Sequence, residues 1–243
     1  VVQPPRRKSP RIGDTRTVQE GDPGSAVFMQ VPAGNGTYTV TDNSSNQGNA
    51  YWTSATVSNA SAWVADTYSL SFTAADSWEV RNSSGSLVGS GSYSSGQSIA
   101  FAGVSIGFEG TPVAGDQFVV AQSGFQSVFK TVQDFLTTLD VDTGSPEGRA
   151  AFQNRLNSNL MNIDQSLQHL GNIQSQVGAR LATIDRQQSS NADMSLDLSQ
   201  SISVIRDLDY ASAISRLEQQ LNSLEAAQKA YTRTRSLSLF DIL

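Results

Sequence analysis

The sequence predicts an α+β protein, with an antiparallel β-rich domain followed by long coiled-coil-like helices and an amphipathic C-terminal helix. Three observations carry that reading. Between residues 24 and 122, apolar side chains alternate with small polar ones, the period of a half-buried strand. After Ser123 the period shifts to the 4-3 spacing of a helix seam. The chain then closes on one more amphipathic stretch and a bare apolar run, Leu237-Ser238-Leu239-Phe240-Asp241-Ile242-Leu243. The expected divisions are an irregular basic lead (1–12), a β-rich domain (13–122), a long-helix domain (123–208) and a C-terminal assembly helix with tail (209–243).

The lead sets Pro4, Pro5 and Pro10 among Arg6, Arg7, Lys8 and Arg11, with no periodicity. The β-domain begins to show its pattern at Tyr68-Ser69-Leu70-Ser71-Phe72, which puts three large side chains on one face. Trp78 and Val80 alternate the same way, and Asn82-Ser83-Ser84-Gly85 supplies a turn. Ile99 and Phe101 give way to Val104, Ile106 and Phe108 across Gly103, so a turn or bulge belongs there. Phe118 and Val120 end the series. The expectation is a small antiparallel domain with a single buried face. Trp78 is assigned to its core, and Trp52 and Trp63 are left open between core and a sugar-binding face.

Ser123 is placed as the cap of a first helix, in which Phe125, Val128, Phe129, Val132, Phe135, Leu136 and Leu139 follow i, i+3, i+4 spacing. Residues 140–144 break it. Ser145-Pro146-Glu147 restarts it with a capping hydroxyl and a proline at the first helical position. Leu156, Leu160, Ile163, Leu167, Leu170, Val177, Leu181 and Ile184 then form a coiled-coil seam, interrupted by the polar Gln174, Gln188 and Asn191. The seam thins near residues 186–195 and resumes at Leu198, Ile202 and Ile205. A second restart is expected at 207–211. Ile214, Leu217, Leu221, Leu224 and Tyr231 follow, with Arg233 and Arg235 where a helix end favours cations. A helix this long is unstable by itself in water, so its stripe has to find another helix. The five apolar side chains of the tail would contribute roughly 7–15 kcal/mol to docking if fully buried, an upper bound.

Composition narrows the chemistry. With no cysteine and one histidine, His169, disulfides, thiolate metal sites and multi-histidine metal centres are excluded. Net charge is −6, and residues 13–144 carry twelve acids against three bases, which argues against a nucleic-acid surface. No stretch reaches the ~18 apolar residues of a membrane span, and no cleavable signal is recognisable. Asp142-Thr143-Gly144 matches an aspartic-protease triplet, but the second such triplet that the enzyme needs does not occur. As a calcium loop, residues 140–144 lack the later ligands, so a turn is the better reading. Asn35, Asn43, Asn59 and Asn82 head glycosylation-type triplets that read as polar loops. His169 is read as flanking the seam. No catalytic residue, cofactor or metal is expected.

The terminal motifs Asp207-Leu208-Asp209-Tyr210-Ala211, Ile214-Ser215-Arg216-Leu217, Leu224-Glu225-Ala226-Ala227-Gln228 and Leu237-Ser238-Leu239-Phe240 resemble the flagellin superfamily, most closely its hook-associated proteins of the hook–filament junction. Residues 92–103 and 110–118 resemble the outer domain of the same proteins. The resemblance covers roughly residues 13–243. It implies a structural subunit of the bacterial flagellum, exported without a cleaved signal and located outside the cell. Such a subunit associates in a ring between hook-associated protein 1 and flagellin. It further implies a cytoplasmic export chaperone on the C-terminal helix. By motif, the subunit or chaperone contacts fall on Ile214, Leu217, Leu221, Leu224, Tyr231, Leu237, Leu239 and Phe240. The family has a long helical segment ahead of the β-domain. Residues 1–12 do not match it, so the expectation is a chain that starts late relative to that family. The competing reading is a secreted adhesin or carbohydrate-binding β-domain on a coiled-coil stalk. An enzyme is not expected.

Overall fold

A computed structural model of the chain describes residues 8–13 and 15–236. Arg6, Arg7 and the apolar tail with Leu237, Leu239 and Phe240 lie outside the described residues. The protein is α+β, as the alternation and the heptads require. It divides into two units, Val1–Pro10 with Gln19–Arg180 and Arg11–Val18 with Leu181–Leu243.

The first unit holds all the named strands. A short helix α1 (Gly24–Phe28) leads into β1 (Val31–Pro32), which pairs with β10 (Phe125–Gln126). One sheet has the order β2 (Tyr38–Asp42), β9 (Gln117–Gln122), β4 (Thr67–Ala74), β5 (Ser77–Arg81), β6 (Leu87–Ser92). The other runs β3 (Tyr51–Val57), β8 (Val104–Glu109), β7 (Ser98–Phe101). Every pairing is antiparallel.

The core is sealed between the two sheets. Tyr68, Leu70 and Phe72 of β4 and Phe118 and Val120 of β9 meet Ile99 and Phe101 of β7 and Val104, Ile106 and Phe108 of β8. The alternations read along β4, β7, β8 and β9 therefore point inward. At the centre the Phe72, Phe108 and Phe118 rings contact one another edge-on at 4.9–6.2 Å, the arrangement that aromatic quadrupoles favour. Each such fully buried side chain contributes ~1.5–3 kcal/mol. The expected single buried face is corrected to a two-sheet sandwich. The second sheet is easy to miss because β3 carries a bulge between Trp52 and Ser54, which breaks its alternation. The Gly103 break is a two-residue hairpin in which Ala102 (φ 43°) and Gly103 (φ 80°) are both left-handed, as a twist-matched turn demands.

The tryptophans take three environments. Trp52 is 2% exposed and belongs to the core. Trp63 is half-buried between the rings of Tyr38 and Tyr68, 5.6 Å from each. Trp78, expected in the core, is only partly buried. It lies against Gly89 and Gly91 of β6 and donates its indole N–H to the Ser92 carbonyl at 3.1 Å. The absent side chains of the two glycines leave the space the ring occupies.

The four glycosylation-type triplets are turns. Asn35, Asn43 and Asn59 each accept the backbone N–H two residues on, at 3.0 Å, and Asn82 accepts from Ser84 Oγ and Ser86 N. Such loops satisfy their own backbone through the asparagine side chain. Asp142-Thr143-Gly144 does likewise, with Asp142 Oδ1 accepting from Gly144 N at 2.9 Å. The buried Asp116 carboxylate receives the N–H groups of Gln47, Gly48 and Val113, at 2.8–3.3 Å, pinning two loops to the end of β9.

Helix α2 (Val128–Leu139) is capped by Ser127, whose hydroxyl accepts from Lys130 N at 3.0 Å. The cap is therefore four residues later than expected, because residues 125–126 are spent pairing with β1. Helix α3 (Pro146–Ser236) starts as read, with Ser145 Oγ accepting from Gly148 N at 3.0 Å. The Glu147 carboxyl is held below the usual range by its own backbone N–H and by Ser145. The second restart at 207–211 does not occur, and the helix runs through it. None of those five residues is glycine or proline, so nothing local stops it.

Candidate assembly surface

On α2 and on α3 within the first unit, several polar residues face inward while several apolar ones face outward. On α2 the buried residues are Thr131 and Thr138, while Phe129, Val132, Leu136 and Leu139 are 52–64% exposed. On α3 the buried residues are Ala150, Asn154, Asn159 and Ser166. Asn159 joins the two helices, donating to Thr138 Oγ1 at 2.7 Å and to the Asp134 carbonyl at 3.3 Å. Threonine and asparagine are poor interior helix formers. Their recurrence here reflects bonds made, since buried polar groups need partners.

The same face of α3 holds the sandwich. Strands β2 and β3 are each the terminal strand of their sheet, and an open strand edge exposes unpaired backbone groups. Asn154 Oδ1 accepts from Trp52 N at 2.9 Å and Asn157 Nδ2 donates to Trp52 O at 2.7 Å, engaging one residue's donor and acceptor as a neighbouring strand would. Ser158 donates to the Val40 carbonyl at 3.3 Å, and Asn162 accepts from Gly34 N at 2.7 Å. One helix face thereby closes both edges. Further along, His169 Nε2 lies 2.9 Å from the Ala26 carbonyl of α1, and Arg180 pairs with the half-buried Asp22 at 2.6 Å. His169 therefore holds α1, a role the seam pattern did not show.

Of the seam residues in this unit, Leu156, Ile163 and Leu170 are half-buried. Leu160, Leu167 and Val177 are 41–63% exposed. An aromatic patch that the heptads did not predict adjoins α2: Phe28 meets Phe129 with ring centroids 6.0 Å apart, and both are exposed. The signal for the polar seam was present in the sequence. Asn154, Asn157, Ser158 and Asn162 recur at helical spacing without the lysines and glutamates of a solvated face.

In the second unit, Arg11 and Thr17 form an isolated antiparallel bridge. The helix there carries its apolar side chains bare: Leu181, Ile184, Ile202, Ile214, Leu217, Leu221, Leu224 and Tyr231 are 36–66% exposed. Such a stripe exceeds what a monomeric surface usually shows. Among the described residues, no helix is long and apolar enough to cross a membrane.

Comparison with known proteins gives these features a family context. Residues 41–122 match the family model of the flagellar hook-associated protein 1 D2-like domain. No curated protein matches the chain. FlgL of Xanthomonas campestris is 34% identical, with 75% of this chain and 60% of that one covered at a TM-score of 0.71. In a second crystal form the figures are 33%, 81%, 64% and 0.74. The flagellar junction protein FlgL of Legionella pneumophila is 29% identical, with 80% and 64% covered and a TM-score of 0.75. The chain thus spans less than two thirds of the length of these relatives. Identity of this order along a shared fold makes the chain a homologue of the flagellar hook–filament junction proteins, with a sandwich of the hook-associated type.

Proposed function

We propose that the chain is a structural subunit of the bacterial flagellum at the hook–filament junction. It acts by burying helix faces against neighbouring subunits, and it links hook-associated protein 1 to flagellin within a ring of its own copies. The observation that carries the reading is the direction of the apolar stripes. Outward-facing leucines and isoleucines along α2 and α3 leave apolar area that only another helix can remove from water. The coiled-coil seam, from Leu156 to Ile184, serves subunit packing. The stretch 214–231 with the tail serves first a cytoplasmic export chaperone and then the assembled junction. Residues 13–122 act as the outward domain, 123–208 as the packing rod, and 209–243 as the assembly segment. The protein works outside the cell after export by the flagellar apparatus, and it catalyses nothing.

Deleting residues 235–243 tests the reading. The expected outcome is loss of incorporation at the junction, seen by electron microscopy of filaments, with the sandwich still folded by circular dichroism. Normal junctions built from the shortened chain would refute it.

A further inference from the structure

Asparagine precedes glycine at one point in the chain, Asn35-Gly36 in the turn between β1 and β2. Asparagine is a thermolabile residue, and a following glycine makes it more so. The Gly36 nitrogen, having lost its proton to hydroxide, attacks Asn35 Cγ. A C–N bond forms, and the side-chain nitrogen leaves as ammonia. Water then opens the succinimide at either carbonyl, giving aspartate or isoaspartate. One water is consumed and one ammonia released, with no oxidant or reductant. Glycine favours the attack because no Cβ obstructs it and its backbone turns freely.

The attack needs a mobile turn, and the fold withholds one. Gly36 is exposed, so water reaches the site and burial is not the protection. Bonding is. Asn35 Oδ1 accepts from Thr37 N at 3.0 Å and Tyr38 N at 2.9 Å, and Nδ2 donates to the Ala55 carbonyl of β3 at 3.1 Å. The attacking nitrogen is engaged too, donating to the Ala33 carbonyl at 3.1 Å. Ala33 N donates to the Gly124 carbonyl at 2.9 Å and Asn35 N to the Tyr38 carbonyl at 3.1 Å. Gly34 N donates to Asn162 Oδ1 of α3 at 2.7 Å. Every backbone N–H from Ala33 to Tyr38 therefore has an acceptor. Before the Gly36 nitrogen can reach Cγ, the carboxamide must leave its three partners and Gly36 must leave Ala33.

We propose that Asn35-Gly36 is a latent deamidation site. It is silent while the turn is closed and converts to aspartate and isoaspartate when the turn opens, with Asn162 holding it shut. Conversion is one-way. Aspartate sets a carboxylate oxygen against the Ala55 carbonyl where a donor stood. Isoaspartate adds a carbon to the main chain ahead of β2, inside the turn that Tyr38 closes. Either product loosens the link between β2 and β3, which are edge strands of different sheets. The site is independent of the junction role, and neither stands or falls with the other.

The test holds the full chain at mildly alkaline pH, once folded and once in urea above its unfolding transition. Peptide mapping by mass spectrometry reads the amide-to-acid mass shift at each asparagine, and isoaspartyl methyltransferase counts the isoaspartate. In urea, Asn35 should convert ahead of every other asparagine. In the folded chain its rate should fall by about thirtyfold or more, since only the open fraction reacts. Asn162→Ala should raise the folded-state rate by about three- to tenfold, the loss of one hydrogen bond, and leave the urea rate unchanged. The comparison of folded and unfolded chain needs no substitution, so it decides the matter even if Asn162→Ala misfolds. Equal rates in the two states, or faster conversion of another asparagine in urea, overturns the proposal. A folded Asn162→Ala variant that converts no faster overturns the role of the helix in it.

Discussion

The sandwich and the helix beyond residue 181 spend similar apolar side chains in opposite ways. In the sandwich, Leu70, Ile106 and Phe118 are fully buried, and their partners are all within the chain. On the helix, Leu217, Leu221 and Leu224 are 55–56% exposed. An apolar residue therefore reports the fold in one region and, on the proposed function, a neighbour in the other, although hydropathy scores them alike. Substitutions can separate the two meanings. Replacing Leu217, Leu221 and Leu224 together by serine should weaken subunit association by roughly 5–9 kcal/mol if all three are buried in the assembly. Sedimentation velocity would follow the association, while the thermal midpoint of the sandwich stays put. A sandwich that melts early in this variant would erase the distinction.

The converse substitution is Phe72→Ala at the meeting point of three aromatic contacts. It should cost about 3–5 kcal/mol of sandwich stability in urea unfolding. The helical circular dichroism of residues beyond 181 should not follow the sandwich transition. Between these extremes lies the polar seam. Asn157→Ala leaves the Trp52 carbonyl without its helix partner and should cost about 1–2 kcal/mol. Faster amide exchange around β3 would report it, and unchanged protection would mean that the helix merely lies over the strand.

The smallest effect is one of pH. Burial raises the Asp42 carboxyl in the folded state, so its stabilising contribution is complete below the ordinary carboxylate value and is lost as pH rises through the raised one. Asp42→Asn should therefore flatten the stability profile just above the ordinary carboxylate range and leave the neutral-pH protein slightly more stable. A steeper profile in the variant would contradict that sign.

Much of this was legible in the sequence. The inward sets of β4, β7 and β8 follow from strict alternation, and the start of α3 follows from Ser145-Pro146. The seam residues were recognisable as a stripe, but a stripe does not state which way it faces. That depends on what else the helix offers. Asn154, Asn157 and Ser158 turn the other side toward the sheets by bonding backbone groups, a long-range demand invisible to periodicity. Trp52 was undecidable for a related reason, since the bulge beside it hides which face of β3 it occupies. Its unpartnered N–H is a matter of three-dimensional surroundings and could not be read from spacing.

The closure of two strand edges by one helix face has a mechanical consequence. A domain hung on a flexible linker absorbs load by swinging. Here the sandwich is riveted to the first turns of α3 at Trp52, Val40 and Gly34, so drag on the sandwich reaches the helix as torque. Were the chain built into a filament as proposed, the sandwich would act as a stiff lever on those turns.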